Sequence, residues 1–258
     1  MSKWIWINAG RFRWQVSTEF AGLPWLASLN APERLIAAPA ERLTREQPGK
    51  NSSVHRTAPL HEPGATVIVK RYRPNHRWDI IRSVARQSPA RRAFERAFAL
   101  QQLEIPTARP IAAGERRALG FLRESFLILE DVSNARTWRQ LLAEDAASLL
   151  RRACLTQLAG MLARLHDAGL AHTDITLGNF LVRGGGRSRQ LMAIDLDGIR
   201  PARRQSLRAI VKDLRTAWRR LPMTPRERLW FCASYSKARS RSISSRDLLT
   251  LLASAPKN

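Results

Sequence analysis

The feature that most constrains how this chain can fold is the stretch "AHTDITLGNFLV", residues 171–182, in which a histidine, an aspartate and an asparagine stand between two apolar runs. Asp174 follows His172 by two residues, and Asn179 follows Asp174 by five. If each residue type makes up roughly one residue in twenty, this spacing arises by chance about once in several thousand positions. The stretch is suggestive by itself, and its surroundings decide how it is interpreted.

The segments on either side of the stretch predict a helix and a hairpin. Residues 146–168 carry an amphipathic pattern that predicts a long helix stopped by Gly169. After the stretch, "NFLVR" and "QLMAID" flank "GGGRS" and predict two short strands joined by a turn. Asp195 ends the second strand, sixteen residues after Asn179. Because a hairpin of that length returns to its start, we expect Asn179 and Asp195 to lie close together.

The first half of the chain adds a lysine on a strand and a glutamate on a helix. Residues 65–72, "ATVIVKRY", are predicted as a strand with Lys70 as its last inward-facing position. Residues 89–103 predict a helix that begins at Pro89 and carries Glu95. Lysine, glutamate, His-x-Asp-x4-Asn and a strand-end aspartate, in this order, are typical of protein-kinase-like enzymes.

The order of the predicted elements indicates the fold class. The first half is rich in strands, including a Trp/Arg hairpin over residues 4–16 and a buried strand over residues 125–132. The second half is mostly helical, with helices predicted over residues 146–168, 205–221, 225–238 and 244–253. We therefore predict an α+β, two-lobed, protein-kinase-like fold, with a β-rich N-lobe over residues 1–131 and a mostly helical C-lobe over residues 132–258.

Two N-lobe residues suit the binding of a triphosphate. Phosphoryl transfer requires neutralisation of the phosphate charge, and Lys70 has the reach and charge to hold the α- and β-phosphates. A carboxylate on the following helix can hold that lysine in place; Glu95 is the candidate and Glu104 its competitor. Taken singly, Lys70 could be a surface lysine like its neighbour Arg71, and Glu95 a solvated helix residue.

The C-lobe residues suit metal binding and proton transfer. Mg²⁺ prefers hard oxygen ligands, which Asn179 and Asp195 offer. Asp174 is the candidate base for the proton of the acceptor hydroxyl, and His172 would support the backbone of the loop. Asp197 is interpreted as a turn former, with a second metal ligand as the alternative.

With these residues in place, the chain resembles the bacterial lipopolysaccharide kinase family, the Kdo and core-heptose kinases of the protein-kinase-like superfamily. The resemblance covers roughly residues 45–215 and rests on "KNSSVHR", "VIVKRYR", "FERAFALQQLEIPTARPIAAG", "LARLHDAGLAHTDITLGNFLV" and "AIDLDGIR". It assigns the roles given above to five residues: Lys70, Glu95, Asp174, Asn179 and Asp195.

The same resemblance implies ATP and Mg²⁺ as cofactors. ATP would bind between the lobes, with the strand that carries Val54 covering the nucleotide and the backbone near Glu130 and Val132 meeting the adenine. The acceptor would be a sugar hydroxyl, of heptose or Kdo, in the inner core of lipopolysaccharide.

Several features depart from the eukaryotic protein kinases. The segment before Val54 has no G-x-G-x-x-G loop, Thr173 stands where those kinases have an arginine, and "DLDG" replaces "DFG". No Ala-Pro-Glu element follows "DLDG"; the one occurrence in the sequence, residues 31–33, lies far before the catalytic-loop stretch. Control by phosphorylation of an activation loop is therefore not expected.

Charge indicates the kind of partner. Lysine and arginine number 44 against 21 acidic residues, a net charge of +23, and nearly all the cations are arginine. Arginine binds carboxylate and phosphate in a bidentate manner, so we expect an anionic acceptor such as the lipopolysaccharide core and peripheral contact with an anionic inner membrane. The hairpin of residues 4–16 could seat at that membrane or pack on the N-lobe. A GC-rich genome, which favours arginine codons, would explain the charge without any partner.

The location expected from the sequence is the cytoplasm. The N-terminal residues 1–16 contain arginines where a signal peptide needs an apolar core, and no run of 18 apolar residues occurs. Two cysteines far apart in sequence suggest neither a disulfide framework nor a metal site.

Three other functions fit parts of the sequence. A kinase-like enzyme with a small-molecule or protein acceptor would share the catalytic loop, but kinases for cationic small molecules usually carry acidic pockets, and residues 200–258 contain only three acids. An inactive kinase-like regulatory or binding module would keep the fold, although every expected polar group is present. A nucleic-acid-binding protein would use the basic surface, but no recognised motif appears, so no specific nucleic acid is expected.

Overall fold

The computed structural model describes residues 3–22, 24–36, 41–43, 52–58, 66–74, 76–132, 134–143, 148–184, 188–201, 207–241 and 243–254. The chain divides into two compact units. The first contains residues 1–98 and 108–131, and the second contains residues 99–107 and 132–258. Residues 99–107, expected in the N-lobe, group with the second unit because Pro106 accepts a hydrogen bond from the Ala193 N–H at 2.9 Å, and Thr107 Oγ1 donates to the Ala193 carbonyl at 2.8 Å.

The first unit is built on an antiparallel sheet of seven strands. Its strands are β1 (Trp4–Ala9), β2 (Phe12–Ser17), β3 (Glu41–Arg42), β4 (Ser52–Thr57), β5 (Val67–Tyr72), β6 (Pro110–Ala118) and β7 (Phe121–Glu130). Their order across the sheet is β1-β2-β6-β7-β5-β4-β3. The helices that begin in this unit are α1 (Arg77–Ser83) and α2 (Pro89–Gln102). The predicted N-terminal hairpin and the predicted helix at residues 89–103 are thereby confirmed.

The N-terminal hairpin packs into the first unit. Trp14 is fully buried, and its indole N–H donates to the Leu29 carbonyl at 3.1 Å. Gly114 on β6 is required there, because a Cβ would lie 2.5 Å from the Trp14 ring. Trp4 packs edge-on against Phe94, with ring centroids 6.0 Å apart. Of the two possibilities left open by the sequence, the structure favours packing on the N-lobe.

The second unit contains five short strands and most of the helices. The strands are β8 (Arg136–Thr137), β9 (Leu170–His172), β10 (Phe180–Arg183), β11 (Gln190–Ala193) and β12 (Ile199–Pro201). The helices are α3 (Trp138–Ala143), α4 (Ser148–Asp167), α5 (Leu207–Arg220), α6 (Pro225–Ala238) and α7 (Ser245–Ala253). The helices predicted at residues 146–168, 205–221, 225–238 and 244–253 are all present, with ends shifted by a few residues.

The sequence did not predict α1, since its large apolar residues face outward and its pattern lacks a buried stripe. The glycine turn after β10 and the polar segment before β4 lie, at residues 185–187 and 44–51, outside the described residues.

Within the described part of the chain, no helix combines the length and the apolar character needed to cross a bilayer.

Candidate active site

Two antiparallel strand pairs hold the predicted catalytic loop. Strand β9 pairs with β12, which places His172 opposite Ile199, and β10 pairs with β11 on the other side of the loop. Beyond the second pair, the Ile194 N–H donates to the Asn179 carbonyl at 3.1 Å. Residues 173–179 therefore lie against residues 194–198, as the hairpin pattern predicted.

Asn179 is locked onto Asp174. Its Nδ2 donates to the Asp174 carbonyl at 2.8 Å and to Asp174 Oδ2 at 2.9 Å. Because the amide nitrogen makes both bonds, the side-chain Oδ1 of Asn179 is left as an acceptor. The five-residue spacing thus orients a carboxylate and directs an amide oxygen away from it.

Arg220 is a residue of the site that the sequence did not reveal. It ends α5, and its guanidinium donates to Asp174 Oδ1. Both side chains are roughly half exposed, so solvent screens the pair. The two residues lie 46 positions apart in sequence, and no local pattern distinguishes Arg220 from the many other arginines of the C-terminal region.

His172 supports the loop as expected. Its ring is buried, and Nδ1 accepts a hydrogen bond from the Asp174 N–H at 3.3 Å. Burial lowers the pKa of His172 below its ordinary value, and the carboxylates of Asp195 and Asp174 oppose this effect only in part. A neutral ring with Nδ1 as acceptor is the form that this contact requires.

The turn after β11 brings Asp195 and Gly198 to the loop. Asp195 Oδ1 accepts from the Asp197 N–H at 3.3 Å and caps the short turn Leu196–Gly198. The Gly198 carbonyl accepts from the Thr173 N–H and hydroxyl at 2.9 and 3.0 Å. A Cβ on Gly198 would lie 3.2 Å from the Asp174 Cβ and from the His172 ring, so a larger residue here would press on both.

Lys70 lies on β5, opposite Val54 on β4 and Leu127 on β7. Its neighbour Val69 is fully buried in the core of the first unit, and successive strand side chains point to opposite faces. Lys70 therefore lies, half-buried, on the opposite face of the strand, where Tyr72 is also buried. Its role as a phosphate-binding lysine stays a prediction. Its ammonium group is 5.0 Å from the centre of the Tyr72 ring.

The carboxylate of Glu95 bonds to residues near it in sequence. It accepts from Arg91 Nε at 2.9 Å and from Gln87 Nε2 at 3.5 Å, and its side chain is about one-third exposed. Glu104 follows α2 with a positive φ of 53° and an exposed side chain. Pairing of Glu95 with Lys70 stays a prediction.

The segment expected to meet adenine follows β7. The Glu130 carboxylate accepts from Arg109 at 2.9 and 3.3 Å, and its backbone N–H donates to the Arg109 carbonyl at 2.9 Å. Val132 is buried, and its carbonyl oxygen accepts from the Ala135 N–H at 2.8 Å. Contact of this backbone with a nucleotide stays a prediction.

The comparison that decides the family is a match to the lipopolysaccharide kinase (Kdo/WaaP) family over residues 48–253. The match spans well over half of the chain. The chain belongs to the lipopolysaccharide kinase (Kdo/WaaP) family.

Two curated relatives match part of this lipopolysaccharide kinase family member. A 3-deoxy-D-manno-octulosonic acid kinase of Stenotrophomonas maltophilia (strain K279a) is 31% identical over 126 residues, which are 49% of this chain and 43% of that protein. The protein of the same description in strain R551-3 is 30% identical over 126 residues, with the same coverage. The chain therefore matches less than half the length of these relatives.

A solved structure confirms the fold. WaaP in complex with acyl carrier protein superposes on this chain with a TM-score of 0.61 and 21% identity, covering 86% of this chain and 88% of that one. The two-lobed, α+β, protein-kinase-like architecture predicted from the sequence is therefore confirmed.

The residues of this family member fit a magnesium ion. The amide oxygen of Asn179 is directed away from Asp174, and the carboxylate of Asp195 lies in the turn that packs against the same loop. Both are hard oxygen ligands of the kind that Mg²⁺ binds together with phosphate oxygens. Binding of a metal by Asn179 and Asp195 stays a prediction.

Proposed function

We propose that this chain transfers the γ-phosphate of ATP to a sugar hydroxyl of the lipopolysaccharide inner core, and that the sugar is Kdo. The observation that carries the proposal is the Asp174–Asn179 pair, with Gly198 and His172 packed against it. Kdo is chosen over heptose because the curated relatives are described as 3-deoxy-D-manno-octulosonic acid kinases. Heptose is the alternative acceptor, and the experiment must distinguish the two sugars.

Asp174 is the proposed base. The acceptor hydroxyl oxygen forms a bond to the γ-phosphorus while the bond from that phosphorus to the β-phosphate oxygen breaks, and ADP leaves. The hydroxyl proton passes to a carboxylate oxygen of Asp174 and then to solvent. Asn179 Nδ2 and the backbone bond to His172 keep the carboxylate in one orientation, which contributes through positioning rather than through covalent chemistry.

The nucleotide would be held by residues of the first unit and by a metal. Lys70 would hold the α- and β-phosphates, Glu95 would orient Lys70, and Val54 would cover the base from the neighbouring strand. Asn179 and Asp195 would hold Mg²⁺, which when bound neutralises charge on the phosphates.

Peripheral contact with the inner membrane is part of the proposal. The acceptor is a lipid-anchored glycan, and a net charge of +23 favours an anionic leaflet. The cytoplasmic face of that membrane is the proposed site of action.

The experiment is transfer of labelled γ-phosphate from Mg-ATP to two purified acceptors, one carrying Kdo alone and one carrying Kdo and heptose. The phosphorylated sugar is identified by mass spectrometry after cleavage of the Kdo linkage. Wild type is expected to phosphorylate Kdo in both. Asp174→Asn is expected to lose activity about 100-fold or more, in line with removal of a general base.

Asp197→Asn is the matched control, since Asp197 is a carboxylate in the adjacent turn that we interpret as a turn former. It should keep the larger part of the activity. If the label were found on heptose and not on Kdo, heptose would be the acceptor sugar and the choice of Kdo would be wrong. Absence of transfer to any glycan by wild-type protein that still binds ATP would refute the proposed function.

A further inference from the structure

The first unit carries an exposed apolar surface that the proposed reaction does not use. We call it the α1 patch: Trp78 and Ile81 on α1, Val84 directly after it, and Leu119 at the tip of the β6–β7 hairpin. Their exposed fractions are 69%, 53%, 52% and 93%. Trp78, Ile81 and Val84 are spaced three residues apart, so these three side chains lie on one side of the helix. Soluble surfaces seldom group large apolar side chains in this way, which marks the α1 patch as an interaction surface.

The α1 patch is continuous and held in shape. A Cβ on Gly120 would lie 3.8 Å from Val84, so the hairpin tip and the end of α1 are neighbours. The guanidinium of Arg117 donates to the backbone carbonyls of Ser83, Gly120 and Arg86 at 2.8, 2.9 and 2.9 Å, respectively. One partly buried side chain thus fixes both parts of the surface to the sheet.

Leu119 is held in a conformation that leucine disfavours. Its φ is +52°, in the left-handed region, and the following Gly120 has a φ of +80°. A two-residue hairpin turn of this kind normally takes asparagine, aspartate or glycine at the first position. The position thus combines backbone strain with a fully exposed apolar side chain, which is consistent with selection for contact rather than for stability.

Cations surround the α1 patch. Arg77, Arg82 and Arg86 are exposed, and within the described residues their guanidinium groups make no hydrogen bond or ion pair. Asp79 is the acidic residue of α1. An exposed tryptophan and aliphatic side chains ringed by arginines match the interface of an anionic bilayer, where indole rings sit at the headgroup level and cations meet anionic lipids. A protein partner or a second copy of the chain would match the apolar residues but would not require the excess of positive charge.

We propose that the α1 patch seats the protein on an anionic membrane, with Trp78 and Leu119 inserted at the headgroup level. This inference builds on the peripheral location given under the proposed function. It assigns the contact to α1 and the β6–β7 hairpin, in place of the N-terminal Trp/Arg hairpin that the sequence suggested.

The test is co-sedimentation of the full chain with vesicles of phosphatidylcholine containing phosphatidylglycerol. Trp78→Ala and Leu119→Asn are each expected to lower the partition coefficient about tenfold, since each removes a large inserted apolar side chain. Leu119→Asn should unfold at the same temperature as wild type or higher, because asparagine tolerates a positive φ. That variant keeps the result interpretable even if Trp78→Ala were to disturb the fold.

Trp6→Ala is the matched control. Trp6 is also partly exposed, at 41%, but it lies on β1 with Arg13 and Arg91 against its ring. It should bind vesicles as wild type does. A loss with Trp6→Ala and none with Trp78→Ala or Leu119→Asn would overturn the inference in favour of the N-terminal hairpin.

Two further measurements distinguish membrane binding from binding of a protein partner or of a second copy of the chain. Binding of wild type should fall when phosphatidylglycerol is omitted or salt is raised. Failure of wild type to bind any vesicle, or concentration-dependent dimerisation abolished by Trp78→Ala, would overturn the membrane assignment. Phosphate transfer to a water-soluble, deacylated core glycan should be equal in all these variants, so a failure of the proposed kinase function would be seen separately.

Discussion

Both carboxylate oxygens of Asp174 are engaged, Oδ1 by Arg220 and Oδ2 by Asn179 at 2.9 Å. The Asn179 contact orients the carboxylate. The Arg220 contact engages the other oxygen of the same carboxylate. At the scale of single residues, the proposed base is therefore held by an amide on one oxygen and by an arginine on the other.

Removal of Arg220 is expected to release this restraint. Arg220→Ala should raise hydrolysis of ATP in the absence of a glycan several-fold, because water can then reach Asp174 Oδ1 as a proton donor. Phosphate release from Mg-ATP without acceptor measures the effect. Arg219→Ala removes a neighbouring exposed arginine and should leave this rate near that of wild type. A fall in hydrolysis with Arg220→Ala would show instead that the arginine stabilises the reaction.

Gly198 packs closely against Asp174 and His172, so a larger side chain at this position tests that packing. Gly198→Ala would place a methyl group 3.2 Å from both Asp174 and His172, so the loop must shift. Phosphate transfer should fall at least about tenfold, since small displacements of a catalytic group are costly. Gly178→Ala is the matched control in the same loop, because a Cβ there meets nothing within 4 Å. Equal activity in the two variants would contradict the tight packing of Gly198 on Asp174.

At the scale of elements, a buried carboxylate joins three strands of the first unit. Glu124 on β7 accepts from Arg71 Nε on β5 at 3.0 Å and from Arg116 Nε on β6 at 2.9 Å. Its side chain is only 2% exposed, so both arginines are needed to compensate its burial. Arg71 is the neighbour of Lys70 in β5, and the bond to Glu124 secures the strand that carries that lysine.

Glu124 makes the stability of the first unit depend on pH. Burial raises its pKa, but the hydrogen bonds and charges of Arg71 and Arg116 outweigh that effect and lower it below the ordinary value of 4.5. Because the pKa of Glu124 is lower in the folded than in the unfolded protein, its carboxylate adds to the free energy of unfolding at pH values above the unfolded pKa. This contribution is lost as the pH falls through the folded pKa. Glu124→Gln should lower the free energy of unfolding by about 2–4 kcal/mol at pH 7.

Denaturant unfolding from pH 7 to pH 3 measures this effect. The difference between wild type and Glu124→Gln should shrink below about pH 4.5, as the carboxylate of the wild type becomes protonated. Glu104→Gln alters an exposed glutamate and should change stability by less than about 0.5 kcal/mol. A difference that stays constant down to pH 3 would show that Glu124 acts through packing and not through its charge.

At the scale of the whole molecule, the net charge of +23 attracts any polyanion, whatever its sequence or structure. We expect the protein to bind duplex DNA without sequence preference and to release it as salt rises from 50 to 500 mM, because such binding comes from counterion release. Fluorescence anisotropy with two unrelated duplexes tests this. Affinity that differs between the duplexes, or that persists at high salt, would indicate a nucleic-acid site that the described surface does not show.

The parts of the fold that sequence predicted are those that depend on neighbours along the chain. Helix periodicity, stop signals and strand alternation are local, so α2, α4 and the β10–β11 hairpin were placed within a few residues. The contact between Asp174 and Asn179 is local too, since the two residues are five apart, and the hairpin returns Ile194 to Asn179.

The parts that only the tertiary structure decided are contacts between elements distant in sequence. Arg220 reaches Asp174 across 46 residues, and Glu124 meets Arg71 across 53. The residues of β5 that enter the core of the first unit, Val67 and Val69, were also decided by what packs against the strand. Helix α1 was missed because its apolar side faces solvent, whereas sequence patterns identify a helix by the stripe it buries. In this chain, local geometry determined the Asp174–Asn179 loop, and packing decided which arginine meets it and which surface stays exposed.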